Sequence, residues 1–277
     1  MELGVNVPNF GPGTNPARLR DWARVVEGLG YDLLMVSDHV AITPDVAEQY
    51  PEPFYEPFTT LSWLAGITSR VRLGTTVLIA PYRHPLLTAR MATNLNALSG
   101  GRLVLGVGVG WAQQEFAALG ADFAGRGRAT DEVLAALPAG IPRWIGGNSP
   151  AALRRTIEYG DAWHPLRRTI PQLRAGLARL RALTPPSGAV DPSRPGAPRF
   201  APRILLRLTR EPLVDDERIA GEGTVEQVLE DLAVLQDLGA TNVVLDPFVG
   251  DPAETERPEA AWQQLATIID HWRRRDT

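Results

Sequence analysis

The pair Asp38-His39 directly follows an apolar run, and together they read LLMVSDH. A neutral imidazole beside a carboxylate is a candidate general base, because its pKa lies near neutral pH. The structural alternative is that His39 hydrogen-bonds loop backbone and Asp38 caps a turn. The spacing alone leaves both interpretations open.

Glycine occupies every second position in the run Gly106, Gly108, Gly110, which ends at Trp111. Alternate residues of a strand share one face, so three missing side chains predict a flat hollow for a planar ligand. Tight packing against a neighbouring helix is the alternative. The run is not the dinucleotide fingerprint, because Trp111 stands where that pattern needs a third glycine.

A third candidate, Gly146-Gly147-Asn148-Ser149, joins an apolar strand to a helix that begins at Pro150. Backbone N–H groups and a hydroxyl at a helix N-terminus form a cradle suited to a phosphate. An ordinary Ser N-cap after a Gly turn is the other interpretation. Barrel phosphate sites commonly follow strands 7 and 8, so this one would be displaced.

Composition excludes several chemistries. All 28 basic residues are Arg, since the chain contains no Lys, and it contains no Cys. Schiff-base enzymes and P-loop proteins are therefore excluded, as are disulfides, thiolate metal sites and Cys nucleophiles. The four His residues lack metal-ligand spacing, and no G-x-S-x-G hydrolase signature occurs.

The net charge of −4 and the pI of about 5.7 argue against a nucleic-acid partner. No apolar run approaches the roughly 18 residues that a membrane span requires, and the N-terminal sequence does not resemble a signal peptide. We therefore expect a cytoplasmic protein with neither a nucleic-acid nor a membrane partner.

Short β-rich runs alternate with segments of helical period. Strands are predicted at 3–7, 32–37, 72–79, 103–109, 142–146, 161–166, 203–209 and 242–245. Helices are predicted at 16–29, 57–68, 85–98, 112–137, 150–159, 171–183, 224–238 and 259–275. Eight such pairs predict a (β/α)₈ TIM barrel, formed as a single domain over residues 1–277. A doubly wound sheet is the alternative.

In such a barrel the site lies at the carboxyl ends of the strands. Candidates beyond those above are Asn6, Thr76, Trp163, His164 and Asp246. Residues 40–56, with Tyr50, Phe54 and Tyr55, follow the second strand and could form a substrate lid. Residues 184–202 carry six Pro and are predicted to be an irregular surface connector.

Several segments together resemble the bacterial-luciferase-like flavin and deazaflavin oxidoreductases. They are VNVPNFGP, VSDH, RLGTTVL, LSGGRLVLGVGVGW, RWIGGNSP and YGDAWHP. They are most similar to the subgroup that uses the deazaflavin coenzyme F420. The resemblance covers almost the whole chain in the right order, and it implies a barrel with the flavin-like ring in its mouth and a homodimeric assembly.

The resemblance also implies roles for named positions. Asp38 and His39 would lie beside the reactive ring, and Thr76 and Val77 would support one of its faces at a bulge that often contains a non-prolyl cis peptide. The ring and its side chain would be lined by Gly110, Trp111 and Gln114. The phosphate would be held by Gly146, Gly147, Asn148 and Ser149.

Two departures from the family pattern matter. The family's sugar-phosphate dehydrogenases have a Glu acid at the position of Trp111, and an indole cannot transfer that proton. Relatives also carry several tens more residues between Asp131-Glu132 and the fifth strand, where this chain has only 133–141. We therefore expect a shortened insertion after strand 4 and a more open site, unless a segment is missing from the sequence.

The first functional hypothesis is hydride transfer between a small organic substrate and coenzyme F420. His39 would exchange the substrate proton, oriented or tuned by Asp38. The alternatives are a luciferase-like monooxygenase that uses reduced FMN, and a cofactor-binding paralogue without turnover. The aromatic residues of the lid suggest an apolar or ring-containing substrate.

Overall fold

Strands and helices alternate along the chain, as the sequence predicts. The computed structural model describes residues 1–184, 198–214, 217–248 and 250–275, so most of the proline-rich connector lies outside the described residues. The strands are β1 (Glu2–Asn6), β2 (Leu33–Val36), β3 (Arg72–Ile79), β4 (Leu103–Gly108), β5 (Arg143–Gly146), β6 (Ala162–His164), β7 (Arg199–Phe200), β8 (Arg203–Leu205), β9 (Arg207–Leu208), β10 (Glu222–Gly223) and β11 (Asn242–Asp246).

The helices lie on the outside of the sheet and are joined to it by short loops. They are α1 (Pro16–Gly28), α2 (Pro44–Ala47), α3 (Pro57–Ala65), α4 (Pro85–Leu98), α5 (Gln113–Ala118), α6 (Arg126–Ala136), α7 (Pro150–Tyr159), α8 (Ile170–Leu183), α9 (Val225–Asp237) and α10 (Glu259–Arg274). Short 3-10 turns occur at Ala80–Tyr82 and Pro252–Glu256. No helix among the described residues has both the length and the apolar character needed to cross a bilayer.

The main sheet is parallel and curls round on itself. Its strand order is β7-β6-β5-β4-β3-β2-β1-β11-β8. Only Ala201 and Pro202 separate β7 from β8, and this short stretch is bonded on both sides. The Ala201 N–H donates to the Trp163 carbonyl of β6 at 3.0 Å, and the Val244 N–H of β11 donates to the Pro202 carbonyl at 2.9 Å. The two edges of the curled sheet therefore meet across residues 199–205.

The helix ends follow from residue chemistry at their first turns. The Asn15 side chain accepts the Arg18 N–H at the start of α1, where Pro16 takes the first helical position. Thr224 and Gln227 form a capping box that begins α9. Such side chains satisfy N–H groups that have no partner within the helix. Both predicted caps are confirmed.

Two predicted elements are wrong. The helix expected over 112–137 is two helices, α5 and α6, because the chain turns at Gly120, whose φ is +65°. The strand expected over 203–209 is also broken. Residues 220–223 run beside it, so the Leu205 N–H donates to the Ala220 carbonyl, and β9 pairs with β10 in a separate two-stranded parallel sheet.

Gly176 lets helix α8 approach strand β6. A Cβ at Gly176 would lie 2.2 Å from a ring carbon of Trp163, whose exposed fraction is only 2%. We expect Gly176→Ala to lower the free energy of unfolding by about 1–3 kcal/mol, because overpacking outweighs the gain in helix propensity. Urea denaturation of both proteins measures this difference.

Gly28 provides the matched control, since it lies at the end of α1 with no atom within 4 Å of an added Cβ. Gly28→Ala should leave stability unchanged or raise it by up to about 1 kcal/mol. Equal effects of the two substitutions would contradict the packing of Gly176 on Trp163.

Candidate active site

Side chains inside the curled sheet form layers. An apolar layer consists of Leu33, Met35, Val104, Trp144, Ala162, Ala201 and Val244. Alternate strand residues share a face, so the residues two positions further along point into the same lumen. Three of these next residues are polar and buried strand residues, namely His164, Arg203 and Asp246, and the buried Asn6 of β1 lies beside Asp246. The lumen therefore changes from apolar to polar towards the carboxyl ends of the strands.

Arg203 and Asp246 form a buried ion pair in this polar layer. The exposed fractions of their side chains are 4% and 0%, and Arg203 Nη2 lies 2.6 Å from Asp246 Oδ2. Asn6 donates to the other carboxylate oxygen at 3.0 Å. Arg203 Nη1 also donates to the Thr76 carbonyl at 2.6 Å. The guanidinium thus reaches from β8 to β3. It holds β3 at the point where the register of β3 against β4 shifts.

That shift is the bulge implied by the family resemblance. The register of β3 against β4 is irregular between Thr75 and Leu78, and the Thr76–Val77 peptide is cis. Thr76 was predicted to contact the cofactor, but its side chain is buried and its carbonyl and hydroxyl are bonded inside the lumen. Val77, the other predicted residue, is half-buried. Val77 is therefore the bulge residue that can present a surface to a ligand.

His164 is the hydrogen-bond partner of the Thr76 hydroxyl. Its Nε2 lies 2.9 Å from Thr76 Oγ1, and its Nδ1 contacts the Ala201 carbonyl. Burial, aided by the positive charge of Arg203, lowers the pKa of His164 to about 4. The ring is consequently neutral at pH 7, with Nδ1–H donating to Ala201 and Nε2 accepting from Thr76.

The hollow predicted above the glycines of β4 is wrong. A Cβ at Gly106 would lie 2.1 Å from the Thr75 carbonyl oxygen, and one at Gly108 would lie 2.5 Å from Val77 Cγ2. A Cβ at Gly146 of β5 would lie 2.8 Å from Val77 Cγ1. The space is filled by the bulge of the neighbouring strand. These glycines allow the bulge to approach, and Val77 covers them.

Asp38 makes no hydrogen bond to His39, so the prediction that Asp38 orients this ring is wrong. Its carboxylate makes a bidentate ion pair with Arg83, with N–O distances of 2.7 and 2.8 Å. The Ile79 N–H donates to it as well, at 2.8 Å. Arg83 makes a second ion pair with Glu56 at 2.9 Å. Asp38 therefore fastens the end of β2 to the turn after β3.

His39 is oriented instead by Glu115, a fully buried residue of α5. His39 Nδ1 lies 2.6 Å from Glu115 Oε2, which also accepts the Tyr82 hydroxyl at 2.8 Å. Glu115 Oε1 accepts the N–H groups of Val40 and Ala41 at 2.6 and 3.2 Å. Burial alone would raise the pKa of Glu115, but the contact with His39 and the other hydrogen bonds lower it below its ordinary value. The carboxylate is therefore ionised.

Aromatic side chains enclose the His39 ring. Tyr50 stacks on it with the ring centres 5.2 Å apart, while Phe54 and Trp111 meet it edge-on at 5.5 and 5.8 Å. Tyr50 and Phe54 belong to the predicted lid, and both pack on Phe10. No described residue hydrogen-bonds His39 Nε2. Trp111 is 50% exposed, so this aromatic wall reaches the surface.

The predicted phosphate cradle lies at the N-terminus of α7. Ser149 accepts the Ala152 N–H, and the first turn of the helix contains no acidic residue. With the Asn148 amide oriented so that its oxygen faces Arg168, this oxygen accepts from Arg168 Nε and Nη2, both at 2.9 Å. Gly147, at φ +109°, turns the chain into the helix. The cradle thus combines the positive end of a helix with a guanidinium, an arrangement that can hold an anion.

The remaining predicted residues follow β4. Gly110 has φ +79°, and a Cβ there would meet Ile79 and Phe116. Gln114 is exposed, and its N–H donates to Asp45 at 3.3 Å. The structure shows no polar contact from the Gln114 side chain within the described ranges. Among these residues there is also no group of three or more His, Asp or Glu side chains that could hold a metal.

The sequence-based predictions missed Glu115, Arg83, Arg168 and Arg203. A signal existed for Glu115, because Ala112, Glu115 and Phe116 share one face at helical spacing, which places an acid on an apolar face. No comparable signal existed for Arg203, which precedes an apolar run and looks like an ordinary strand end.

Comparisons with known proteins agree with this architecture. Residues 1–140 match the profile of the family described as luciferase-like monooxygenases. The chain is 29% identical over 275 residues to 4-hydroxyprotoasukamycin monooxygenase of Streptomyces nodosus subsp. asukaensis, covering 95% of this chain and 65% of that protein. It is 30% identical over 199 residues to the phthiodiolone/phenolphthiodiolone dimycocerosates ketoreductase of Mycobacterium tuberculosis, covering 56% and 52%.

Solved structures share the fold at lower sequence identity. The coenzyme F420 dependent tetrahydromethanopterin reductase from Methanopyrus kandleri aligns with a TM-score of 0.70 at 16% identity, over 98% of this chain and 99% of that one. The oxygenating constituent of 3,6-diketocamphane monooxygenase from Pseudomonas putida, in complex with FMN, aligns with a TM-score of 0.68 at 16% identity, over 97% of each chain.

The buried His164 makes stability depend on pH. Because its folded-state pKa of about 4 lies below its ordinary 6.5, the unfolded chain binds the proton first, and stability falls as the pH drops from 6.5 towards 4. This one group should cost about 2 kcal/mol between pH 7 and pH 4.5. His164→Gln should lose that much less stability over this range, as measured by urea denaturation at the two pH values.

His271 is the matched control, since it is an exposed histidine of α10. His271→Gln should show the same stability loss as the wild type. An equal loss in His164→Gln would contradict the neutral state of the buried ring.

Proposed function

Because this chain belongs to the luciferase-like monooxygenase family, we propose that it is an oxidoreductase that transfers a hydride between a small organic substrate and the deazaflavin coenzyme F420. The observation that carries the proposal is the His39 ring, held at Nδ1 by Glu115 with Nε2 unbonded among the described residues. Such an imidazole can take or give the proton that must accompany a hydride.

The residues present fit a flat cofactor with an anionic tail. Arg168 and the N-terminus of α7 can hold a phosphate. Val77 offers an apolar surface on the β3 bulge, and the buried Asn6 Oδ1 has no hydrogen-bond partner among the described residues, so it can accept one from a ligand. When bound, the deazaflavin supplies or accepts the hydride.

The chain's own residues bind and orient the substrate, and one of them moves a proton. During oxidation, His39 Nε2 takes the proton of a substrate hydroxyl, and during reduction it returns a proton to the carbonyl oxygen. The rings of Tyr50, Phe54 and Trp111 pack against the imidazole and favour an apolar or ring-bearing substrate. Arg203 holds the Thr76 carbonyl, which keeps the bulge in place.

The relatives support two cofactors. The structural neighbour from Methanopyrus kandleri depends on F420, and the mycobacterial relative is a ketoreductase, which agrees with a carbonyl and alcohol reaction. A monooxygenase that uses reduced FMN is the second candidate, because the Streptomyces relative that matches 95% of this chain is a monooxygenase and the Pseudomonas neighbour holds FMN.

The proposal extends to access to the site. Residues 137–142 alone join α6 to β5, where the family resemblance implies an insertion of several tens of residues. We infer that this short link leaves the mouth more open than in relatives that carry the insertion. An open mouth suits a ring-bearing substrate of variable size.

Absorption titration of the purified protein with F420 and with FMN tests the choice of cofactor. We expect F420 to bind in the micromolar range and to be reduced or reoxidised with an alcohol or a ketone. Binding of FMN alone, with oxygen consumption once it is reduced, would replace the proposal with the monooxygenase. Binding of F420 without redox change across a broad substrate panel would identify a cofactor-binding protein without turnover.

His39→Ala tests the role of the imidazole. Loss of the general base should lower turnover about 10²- to 10⁴-fold, while the affinity for F420 stays within about threefold of the wild type. Stopped-flow absorbance of the cofactor measures both quantities. Undiminished turnover in this variant would remove His39 from the mechanism.

A further inference from the structure

We propose that Glu115 is a positioning residue that fixes the proton of His39 on Nδ1, so that His39 exchanges protons with the substrate only through Nε2. The inference rests on the proposed function for its catalytic consequence. The placement of the proton itself rests on the hydrogen bonds of the protein alone.

The Glu115 carboxylate is buried and makes four polar contacts, two at each oxygen. An ionised carboxylate can only accept, so each of its four partners must bring a hydrogen. Val40 and Ala41 do so through backbone N–H groups, and Tyr82 does so through its hydroxyl. The fourth contact therefore requires a hydrogen on His39 Nδ1.

The proton on Nδ1 determines the chemistry of the other nitrogen. When the imidazole is neutral this is its one hydrogen, so Nε2 has a free lone pair. The rings of Tyr50, Phe54 and Trp111 surround this histidine, and no described residue takes up its Nε2. His39 is therefore ready to accept a proton at Nε2 without first rotating or changing its tautomer.

This arrangement permits a complete proton transfer at Nε2. In the oxidising direction the substrate O–H bond breaks and an N–H bond forms at Nε2, and a bound deazaflavin would accept the hydride that leaves the carbinol carbon as the carbonyl forms. The resulting imidazolium lies against the Glu115 carboxylate, which stabilises its positive charge. The reverse sequence reduces a carbonyl. An alcohol or a carbonyl compound is the substrate class that this proton transfer serves.

Of the charged and titratable groups around His39, only Glu115 among the described residues is placed to stabilise an imidazolium. Burial, together with the neighbouring Glu115, raises the pKa of Tyr82 in the turn after β3 far above its ordinary value, so its hydroxyl keeps its hydrogen. The adjacent Asp38 carboxylate is occupied by Arg83. Among the described residues, Glu115 is thus the acid in contact with the ring.

Glu115→Gln is the informative substitution because it keeps the shape of the side chain. Its amide oxygen must stay on the two backbone N–H donors of Val40 and Ala41, so its NH₂ group faces His39. That group donates to Nδ1, which forces the ring hydrogen onto Nε2. The variant therefore reverses the tautomer without removing the loop contact.

Asp45→Asn serves as the matched control. Asp45 joins α2 to α5 by accepting the Gln114 N–H at 3.3 Å, and it does not contact His39. The substitution also changes a carboxylate to an amide, in the segment that follows β2 and in contact with α5. Any general loosening of α5 should appear in this control.

Nitrogen-15 NMR of the histidine rings in the unliganded proteins reports the tautomer directly. We expect the Nδ1–H form in the wild type and in Asp45→Asn, and the Nε2–H form in Glu115→Gln. An Nε2–H form in the wild type would overturn the proposal, as would an Nδ1–H form in Glu115→Gln. The wild-type spectrum decides the matter even if the variant fails to fold.

Kinetics then tests the consequence. Glu115→Gln should lower kcat at least about tenfold, with KM and F420 affinity within about threefold, while Asp45→Asn keeps wild-type turnover. Wild-type kcat in Glu115→Gln would overturn the positioning role. If F420 does not bind the wild type at all, the proposed function fails while the tautomer result stands, so the two failures are distinguishable.

Discussion

A single buried carboxylate organises the mouth of this protein. Burying a charge is costly unless hydrogen bonds compensate, and Glu115 is compensated by four donors that come from two segments of the chain. Those segments are the loop after β2 and the turn after β3, while Glu115 itself lies on helix α5. Displacing any of them would leave a buried acceptor without its partner. The position of His39, and of the aromatic lid packed on it, follows from this one constraint.

A second buried network lies within the lumen and holds strand β3 at Thr76. Arg203 and Asp246 neutralise one another, and Arg203 holds the Thr76 carbonyl. The bulge so held carries Val77 over the glycines of β4 and β5. The neutral His164 completes this layer by accepting a hydrogen bond from the Thr76 hydroxyl. Strand β3 thus lies between a network that positions the His39 ring and one that holds Val77 over the glycines of β4 and β5.

The alternation of elements and the caps could be predicted because they depend on local sequence. Hydrophobic periodicity and residues such as Asn15 and Thr224 act within a few positions of themselves. The segments that carry the candidate site were also recognisable, and the structure brings His39 and Trp111 together. The loop at 146–149 lies at the start of α7, as the same segments imply.

Side-chain partners could not be predicted, since they depend on contacts between distant segments. Asp38 adjoins His39 in sequence, yet successive strand-end residues point in different directions, and its carboxylate meets Arg83 instead. His39 meets Glu115, 76 positions away. The glycines of β4 suggested an empty surface because the bulge that fills it belongs to another strand. Proximity in sequence was therefore a poor guide to the roles of the acids.

The proton proposed on His39 Nδ1 can be located directly. Neutron diffraction from crystals of the unliganded wild-type protein at neutral pD should show deuterium on Nδ1 of His39, none on Nε2, and an ionised Glu115. Deuterium on Nε2, or a protonated Glu115 carboxyl, would contradict the claim that this buried carboxylate sets the chemistry of the site.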